Sequence, residues 1–347
     1  MSETSSLPLE AFLARQGLAG TNYAPLPGDA SARCYFRLPD HGKLVMDDHT
    51  DPAGFSAFIR LSDHLCKLGL SAPKVHAVDA DQGLALIEDF GHGTYAKCLA
   101  SGDDETALYQ LAVDALLALH HHPKGTEIET KPYDLDTYLD ELDIFSHWFV
   151  PRIAPPGFDH DGFADAFRQA WKTALGKVSS HRDTLVLRDF HIDNLMLLNQ
   201  RQGVSRCGIL DFQDAVIGPY VYDLVSLLQD ARRDLAPGLE ENMLNYYIRN
   251  APQDLGGEAV IRQHYALLGA QRHARILGVF VRLQERDAKP HYLAFLPRVA
   301  RQFEAALQSP ECHDIKTLLE AALPDWHDNI HNIFSASDII ASSLIFE

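Results

Sequence analysis

The patterning of the chain changes once, and that change limits the folds open to it. Up to residue 90 the apolar residues come in short runs broken by turn signals, and Cys34–Leu38, Lys43–Asp47 and 84–87 read as strands. One helix is expected among them, over 54–68, with Phe55, Phe58, Ile59, Ser62 and Leu65 at helical spacing, Gly69 to end it and Pro73 just beyond. After Gly91-His92-Gly93 the periodicity becomes helical. Leu108, Leu111, Ala112, Ala115, Leu116 and Leu119 form one apolar stripe that stops at Pro123. Further helices are expected over 135–149, 162–175, 222–231, 240–249, 258–285 and 292–307. The pattern predicts an α+β, bilobal chain. A small β-rich N-lobe takes residues 1–90, a larger helical C-lobe takes 91–347, and a ligand is expected in the cleft between them.

Two short apolar runs interrupt the helical region, Leu185-Val186-Leu187 and Gly208-Ile209-Leu210. The first leads through Arg188 into Asp189, the second directly into Asp211, and Asn194 follows Asp189 in the intervening loop. Phosphoryl transfer uses these side-chain types. One carboxylate orients the attacking hydroxyl and accepts its proton, while an amide oxygen and a second carboxylate hold magnesium across the phosphates. Either aspartate alone would serve as a turn residue at a strand end. The ordered set Asp189, Asn194, Asp211 and Asp223, with two apolar runs, is harder to reach that way. Upstream, Gly28, Asp29, Ala30 and Ser31 precede Arg33 and a strand, so backbone amides there can approach phosphates closely. This is neither a G-x-G-x-x-G nor a Walker sequence, and alone it fits a surface turn equally well.

The set Asp189-x-x-x-x-Asn194 with Asp211 resembles the catalytic loop and metal segment of the kinase-like superfamily that includes the aminoglycoside phosphotransferases. The resemblance implies a bilobal protein-kinase-like fold, with ATP and Mg2+ as cofactors. It makes Asp189 the catalytic base and Asn194 and Asp211 the metal ligands. Asp223 becomes a structural brace, and His191 orients the loop. Gly28-Asp29-Ala30-Ser31-Ala32-Arg33-Cys34-Tyr35-Phe36-Arg37 is similar to a segment of the bacterial anomeric sugar kinases of cell-wall recycling, which phosphorylate N-acetylmuramate and N-acetylglucosamine. Leu86 to Gly91 stands where the hinge is expected, with the backbone at Glu88 and Phe90 toward adenine. The strand position that holds a lysine in protein kinases holds Met46 here, and the next helix has no glutamate. Arg33 is the first candidate for the cation that meets the phosphates, and Lys43 the second. The same scaffold also serves aminoglycoside-, choline- and homoserine-type kinases. A reading of another class is a nucleotide-binding pseudokinase scaffold.

Bulk properties restrict the partners. The formal net charge of −18, with no concentrated basic patch, argues against nucleic acid. Five cysteines without a CxxC pair suit a reducing compartment, and no signal peptide or membrane span is read. A cytoplasmic enzyme acting on a small-molecule sugar is expected, with its oligomeric state left open. Arg272, His273 and Arg275 read as a solvated helix face before an anion site. His120-His121-His122 read as helix-end histidines favoured by the negative terminus, because consecutive residues point apart and share an ion poorly.

Overall fold

The computed structural model describes residues 6–27 and 33–333. The chain forms two compact units. One comprises the residues up to Thr130 together with Leu187–Val216, and the other Lys131–Val186 together with the residues from Ile217 on. The segment carrying Asp189, Asn194 and Asp211 therefore belongs to the unit that holds the sheet.

In that unit the expected strands form where their apolar runs stand. They are β2 (Cys34–Leu38), β3 (Lys43–Asp47) and β5 (Leu84–Glu88), joined by β1 (Ala24–Pro25) and β4 (Val75–Asp79) in an antiparallel sheet of order β1-β2-β3-β5-β4. Gly42 turns the chain between β2 and β3 at φ 58°, a left-handed position that costs glycine nothing. Strand β4 escapes the sequence pattern because it is an edge strand with no fully buried residue. Helix α1 (Ser6–Arg15), also unexpected, places Leu9, Phe12 and Leu13 against Phe36, Leu38, Val45, Leu84 and Leu86. Helix α2 (Pro52–Lys67) starts where the Asp51 carboxylate accepts the Gly54 amide at 2.9 Å, with Pro52 in the first turn. Helices α3 (Tyr95–Ala100) and α4 (Glu105–His121) follow, capped by Thr94 and Asp104. Burial drives His120 down to about 3, so this ring does not supply the charged histidine expected at that helix end.

The second unit is built on α10 (Gly257–Asp287), a 31-residue helix. Against it pack α5 (Leu135–Ile144), α8 (Tyr222–Leu228), α9 (Leu239–Asn250) and α11 (Leu296–Ala306), and the unit also holds α6 (Val150–Ile153), α7 (His160–Leu175), which packs on α5, and α12 (His313–Ala322), which packs on α7. The helix expected over 135–149 loses its α-geometry at Phe145, where one π-turn spans Phe145–Phe149. Phe145 stacks on Phe149 at 5.1 Å and on Phe167 at 5.0 Å, and meets Phe303 edge-on. Each such ring contributes about 1.5–3 kcal/mol by burial. The short strands are β6 (Thr184–Val186), which pairs with β9 (Val216–Gly218), and the β7 (Leu195–Leu197) and β8 (Cys207–Ile209) hairpin of the first unit. No helix among the described residues is long and apolar enough to cross a membrane.

The polar face read on α10 is not solvated. Arg272 is 3% exposed and His273 fully buried, because neighbouring helices cover that side. Arg272 donates to the Ser226 hydroxyl at 2.8 Å, and Arg275 stands 3.6 Å from Glu141. His273 Nε2 meets Gln229 Oε1 at 2.7 Å, and burial, with Arg272 adding to it, pushes the imidazole down to about 3.

Two predictions follow from this packing. A Cβ on Gly278 would lie 2.4 Å from the Ile144 carbonyl oxygen, a backbone atom that cannot swing away. Gly278→Ala is expected to lower stability by about 1–3 kcal/mol in urea unfolding. His273 binds its proton in the unfolded chain below its ordinary value of 6.5, but in the folded chain only near 3. Stability is therefore expected to fall as pH drops through that window, by up to about 1.4 kcal/mol per pH unit from this group. His273→Gln flattens that slope in unfolding midpoints measured against pH.

Candidate active site

The β7–β8 hairpin carries the site. Leu195 pairs with Ile209, Met196 with Gly208 and Leu197 with Cys207. The Ile209 amide donates to the Ser71 carbonyl at 2.7 Å and the Leu197 amide to the Gly93 carbonyl at 2.8 Å, which ties the hairpin to earlier parts of the same unit. Asp189 and Asn194 lie in the loop before β7, and Asp211 lies just after β8. The loop closes on itself: the His191 amide donates to the Asp189 carbonyl at 3.1 Å and the Asn194 amide to the His191 carbonyl at 2.9 Å. The Leu210 amide then donates to the Asn194 carbonyl at 2.9 Å, bringing the residue before Asp211 alongside the loop. Arg188 and Asp211 both adopt left-handed backbone, with φ 70° and 59°.

The three expected residues converge. Asn194 Nδ2 reaches the Asp189 carbonyl at 3.1 Å, His191 Nε2 at 3.3 Å and Asp211 Oδ2 at 3.3 Å. The amide nitrogen makes all these contacts, so Asn194 Oδ1 takes part in none of them. Desolvation raises the Asp211 pKa, the Gln213 hydrogen bond opposes that rise, and the nearby Asp189 carboxylate adds to it. An amide oxygen with no partner among the described residues, beside two mutually repelling carboxylates, is an all-oxygen donor set that fits a hard divalent cation. His191 is 5% exposed and accepts from Asn194, a position suited to orienting the loop. Asp223 is buried in the first turn of α8, in the other unit.

Of the residues expected to meet the phosphates, Gly28, Asp29, Ala30 and Ser31 lie outside the described residues. The Arg33 guanidinium is 9% exposed. It donates to Asp48 Oδ2 through Nε at 2.9 Å and Nη2 at 2.8 Å, and to Gln213 Oε1 through Nη1 at 2.9 Å. Gln213 Nε2 in turn donates to Asp211 Oδ1 at 2.8 Å. Phe212 stacks on Phe58 of α2 at 5.1 Å.

Two arginines pin the 88–91 stretch. Arg201 pairs with the Glu88 carboxylate, and its guanidinium carbon stands 5.1 Å from the Phe90 ring centroid. Arg37 pairs with Asp89 at 2.6 Å and donates to the Gly91 carbonyl at 2.8 Å. Sequence reasoning did not single out Asp48, Gln213, Arg37 or Arg201 for these contacts. The signals available were faint: Arg37 ends the Gly28 to Arg37 segment, Gln213 stands two residues after Asp211, Asp48 directly follows a strand, and Arg201 carries none.

Residues 22–264 match the phosphotransferase enzyme family. The chain belongs to that family. It is 35% identical to the N-acetylmuramate/N-acetylglucosamine kinase of Caulobacter vibrioides, over 90% of this chain and 95% of that protein. It is 31% identical to the protein of the same name from Pseudomonas aeruginosa, over 86% and 88%. Among solved structures, a choline/ethanolamine kinase family protein from Mesorhizobium loti shares the fold with a TM-score of 0.60 at 17% identity, covering 91% of this chain and 99% of that one. The streptomycin–ATP–APH(2″)-IIa ternary complex does so with a TM-score of 0.57 at 16% identity, covering 90% and 98%. The fold is the bilobal kinase-like one, and the chain is a nucleotide-using phosphotransferase of the kinase type.

A Cβ on Gly208 would lie 2.9 Å from Phe90 Cδ2 and 3.0 Å from Met196 Cβ. Gly208→Ala is therefore expected to displace the Phe90 ring and lower stability by about 1–3 kcal/mol. Binding of a fluorescent ATP analogue to the same variant reads whether the 88–91 stretch shifts with that ring, and a weaker affinity is expected.

Proposed function

We propose that this phosphotransferase moves the γ-phosphoryl group of ATP to the anomeric hydroxyl of N-acetylmuramate or N-acetylglucosamine. The observation that carries the chemistry is the convergence of Asp189, Asn194 and Asp211 on one loop and hairpin. The acceptor class rests on the names of relatives at 31–35% identity and on the segment similar to the cell-wall sugar kinases.

In this reading Asp189 accepts a hydrogen bond from the sugar hydroxyl, aligns its oxygen with the γ-phosphorus, and takes the proton as the new O–P bond forms and the bond to the ADP oxygen breaks. Asn194 Oδ1 and Asp211 hold Mg2+, which when bound supplies charge neutralisation across the phosphates. Residues Gly28, Asp29, Ala30, Ser31 and Arg33 form the phosphate side, and the backbone at Glu88 and Phe90 meets the adenine. His191 keeps the loop in register through Asn194. Catalysis then comes mainly from positioning and electrostatic stabilisation. The compartment proposed is the cytoplasm, where ATP is available and thiols stay reduced. The partner is a small sugar rather than nucleic acid, in keeping with the acidic charge.

Phosphorus NMR after incubation with ATP, magnesium and N-acetylmuramate is expected to show a glycosyl 1-phosphate. Phosphorylation of kanamycin or choline, with none of N-acetylmuramate, would overturn the acceptor. Asp189→Ala is expected to lower turnover by about 10²–10⁴-fold, the usual contribution of a general base. Unchanged turnover removes Asp189 from that role, and absent turnover in the unmodified chain favours a pseudokinase.

A further inference from the structure

We infer that Arg33 and Gln213 are positioning residues for the metal carboxylate, acting as a relay that fixes the orientation of Asp211. The inference rests on Asp211 being a magnesium ligand.

The relay is continuous. The Asp48 amide donates to the Gly83 carbonyl at 2.9 Å, which anchors Asp48 to the turn between β4 and β5. The Asp48 carboxylate, 3% exposed, holds the Arg33 guanidinium through two nitrogens. That grip leaves Nη1 directed at Gln213 Oε1. An amide has a donor end and an acceptor end. With its oxygen engaged by Arg33, the Gln213 nitrogen must face the other way, and it meets Asp211 Oδ1 at 2.8 Å. A flipped amide would set its oxygen against the carboxylate and its NH2 against the guanidinium, losing both hydrogen bonds and facing like partners together. The positive charge two contacts away thus selects the only amide orientation that can hold Asp211.

Two further contacts restrict the guanidinium. It interacts with the Tyr35 hydroxyl, and its central carbon lies 5.7 Å from the Phe58 ring centroid. Phe58 also stacks on Phe212, the residue between Asp211 and Gln213. The apolar and polar contacts therefore hold the same three-residue stretch from two sides. Asp211 Oδ1 is committed to Gln213, and among the described residues Oδ2 carries only the longer 3.3 Å contact with Asn194. The carboxylate is held in rotation while one oxygen remains lightly engaged, as a metal ligand oriented by outer partners requires.

The test is titration of Mn2+, followed by electron paramagnetic resonance, into the full-length protein with saturating ADP. Gln213→Ala and Arg33→Gln are each expected to weaken Mn2+ binding by about tenfold, the usual effect of removing an outer-shell partner. Metal-free ADP affinity should stay the same in Gln213→Ala, and the Mg2+ concentration for half-maximal turnover should rise in parallel. The double variant should be no weaker than the poorer single one, since both act through one carboxylate. Gln213→Ala leaves the Arg33–Asp48 pair in place, so it carries the test if Arg33→Gln does not fold. Wild-type Mn2+ affinity in Gln213→Ala, alongside lost affinity in Asp211→Asn, overturns the relay alone. Wild-type affinity in Asp211→Asn itself overturns the metal assignment and the relay with it.

Discussion

Asp211 occupies a left-handed backbone position that most residues with a Cβ avoid and that aspartate tolerates better than most, and the placing of its carboxylate depends on it. A left-handed φ costs a residue other than glycine about 1–2 kcal/mol. At 59° the chain leaves β8 abruptly, so the carboxylate turns beside Asn194 instead of alternating outward as the next strand residue would. Arg188, at 70°, makes the same departure just before Asp189. Both kinks survive because their surroundings over-determine them. The Leu210 amide is held by Asn194, the Ala215 amide by the Phe212 carbonyl at 3.0 Å, and the Phe212 ring by Phe58. Left-handed backbone at Arg188 and Asp211, and at only one other non-glycine residue among those described, Ala288, marks where the fold gives up local comfort for geometry.

The Arg33–Asp48 pair must be weighed in the same terms. A buried ion pair is weak support for stability, since desolvating both charges consumes most of what their attraction returns. Its effect here is directional. The carboxylate anchored to the sheet aims the guanidinium, the guanidinium aims an amide, and the amide aims a second carboxylate. A carboxylate anchored beside the sheet thereby fixes the side chain of Gln213, which lies 180 positions after Arg33.

That separation also explains what the sequence could and could not reveal. Asp189, Asn194 and Asp211 were legible because their spacing is local and their residue types are demanded by the chemistry. The strands β2, β3 and β5 were legible because each is a dense apolar run bounded by turn residues. Strand β4 was not, since an edge strand needs no buried face, and α1 was not, since its Leu9, Phe12 and Leu13 gain meaning only against the sheet. Arg272 and His273 misled for the converse reason: polar letters in a long helix look solvated until the helices packed around α10 are known. The partners of Arg33 come from β3's end and from the segment after β8, and no local pattern joins them.

Electrostatics ties these observations together. Asp189 and Asp214 both bear on the Asp211 carboxyl, and Arg33, a cation that acts on it, is already engaged by Asp48 and Gln213. The strand position where a lysine would stand is Met46, fully buried. Like charges about 4 Å apart repel by about 4 kcal/mol at an effective dielectric of 20. A polyphosphate brought to clustered carboxylates meets several such terms at once. With Arg33 engaged, a divalent cation held, as proposed, by Asp211 and Asn194 would supply the charge that offsets them. The orientation of Asp211 then matters more here than in a site where a strand lysine also grips the phosphates. That is a physical reason for a fold to devote a buried arginine, an aspartate and a glutamine to the orientation of one carboxylate.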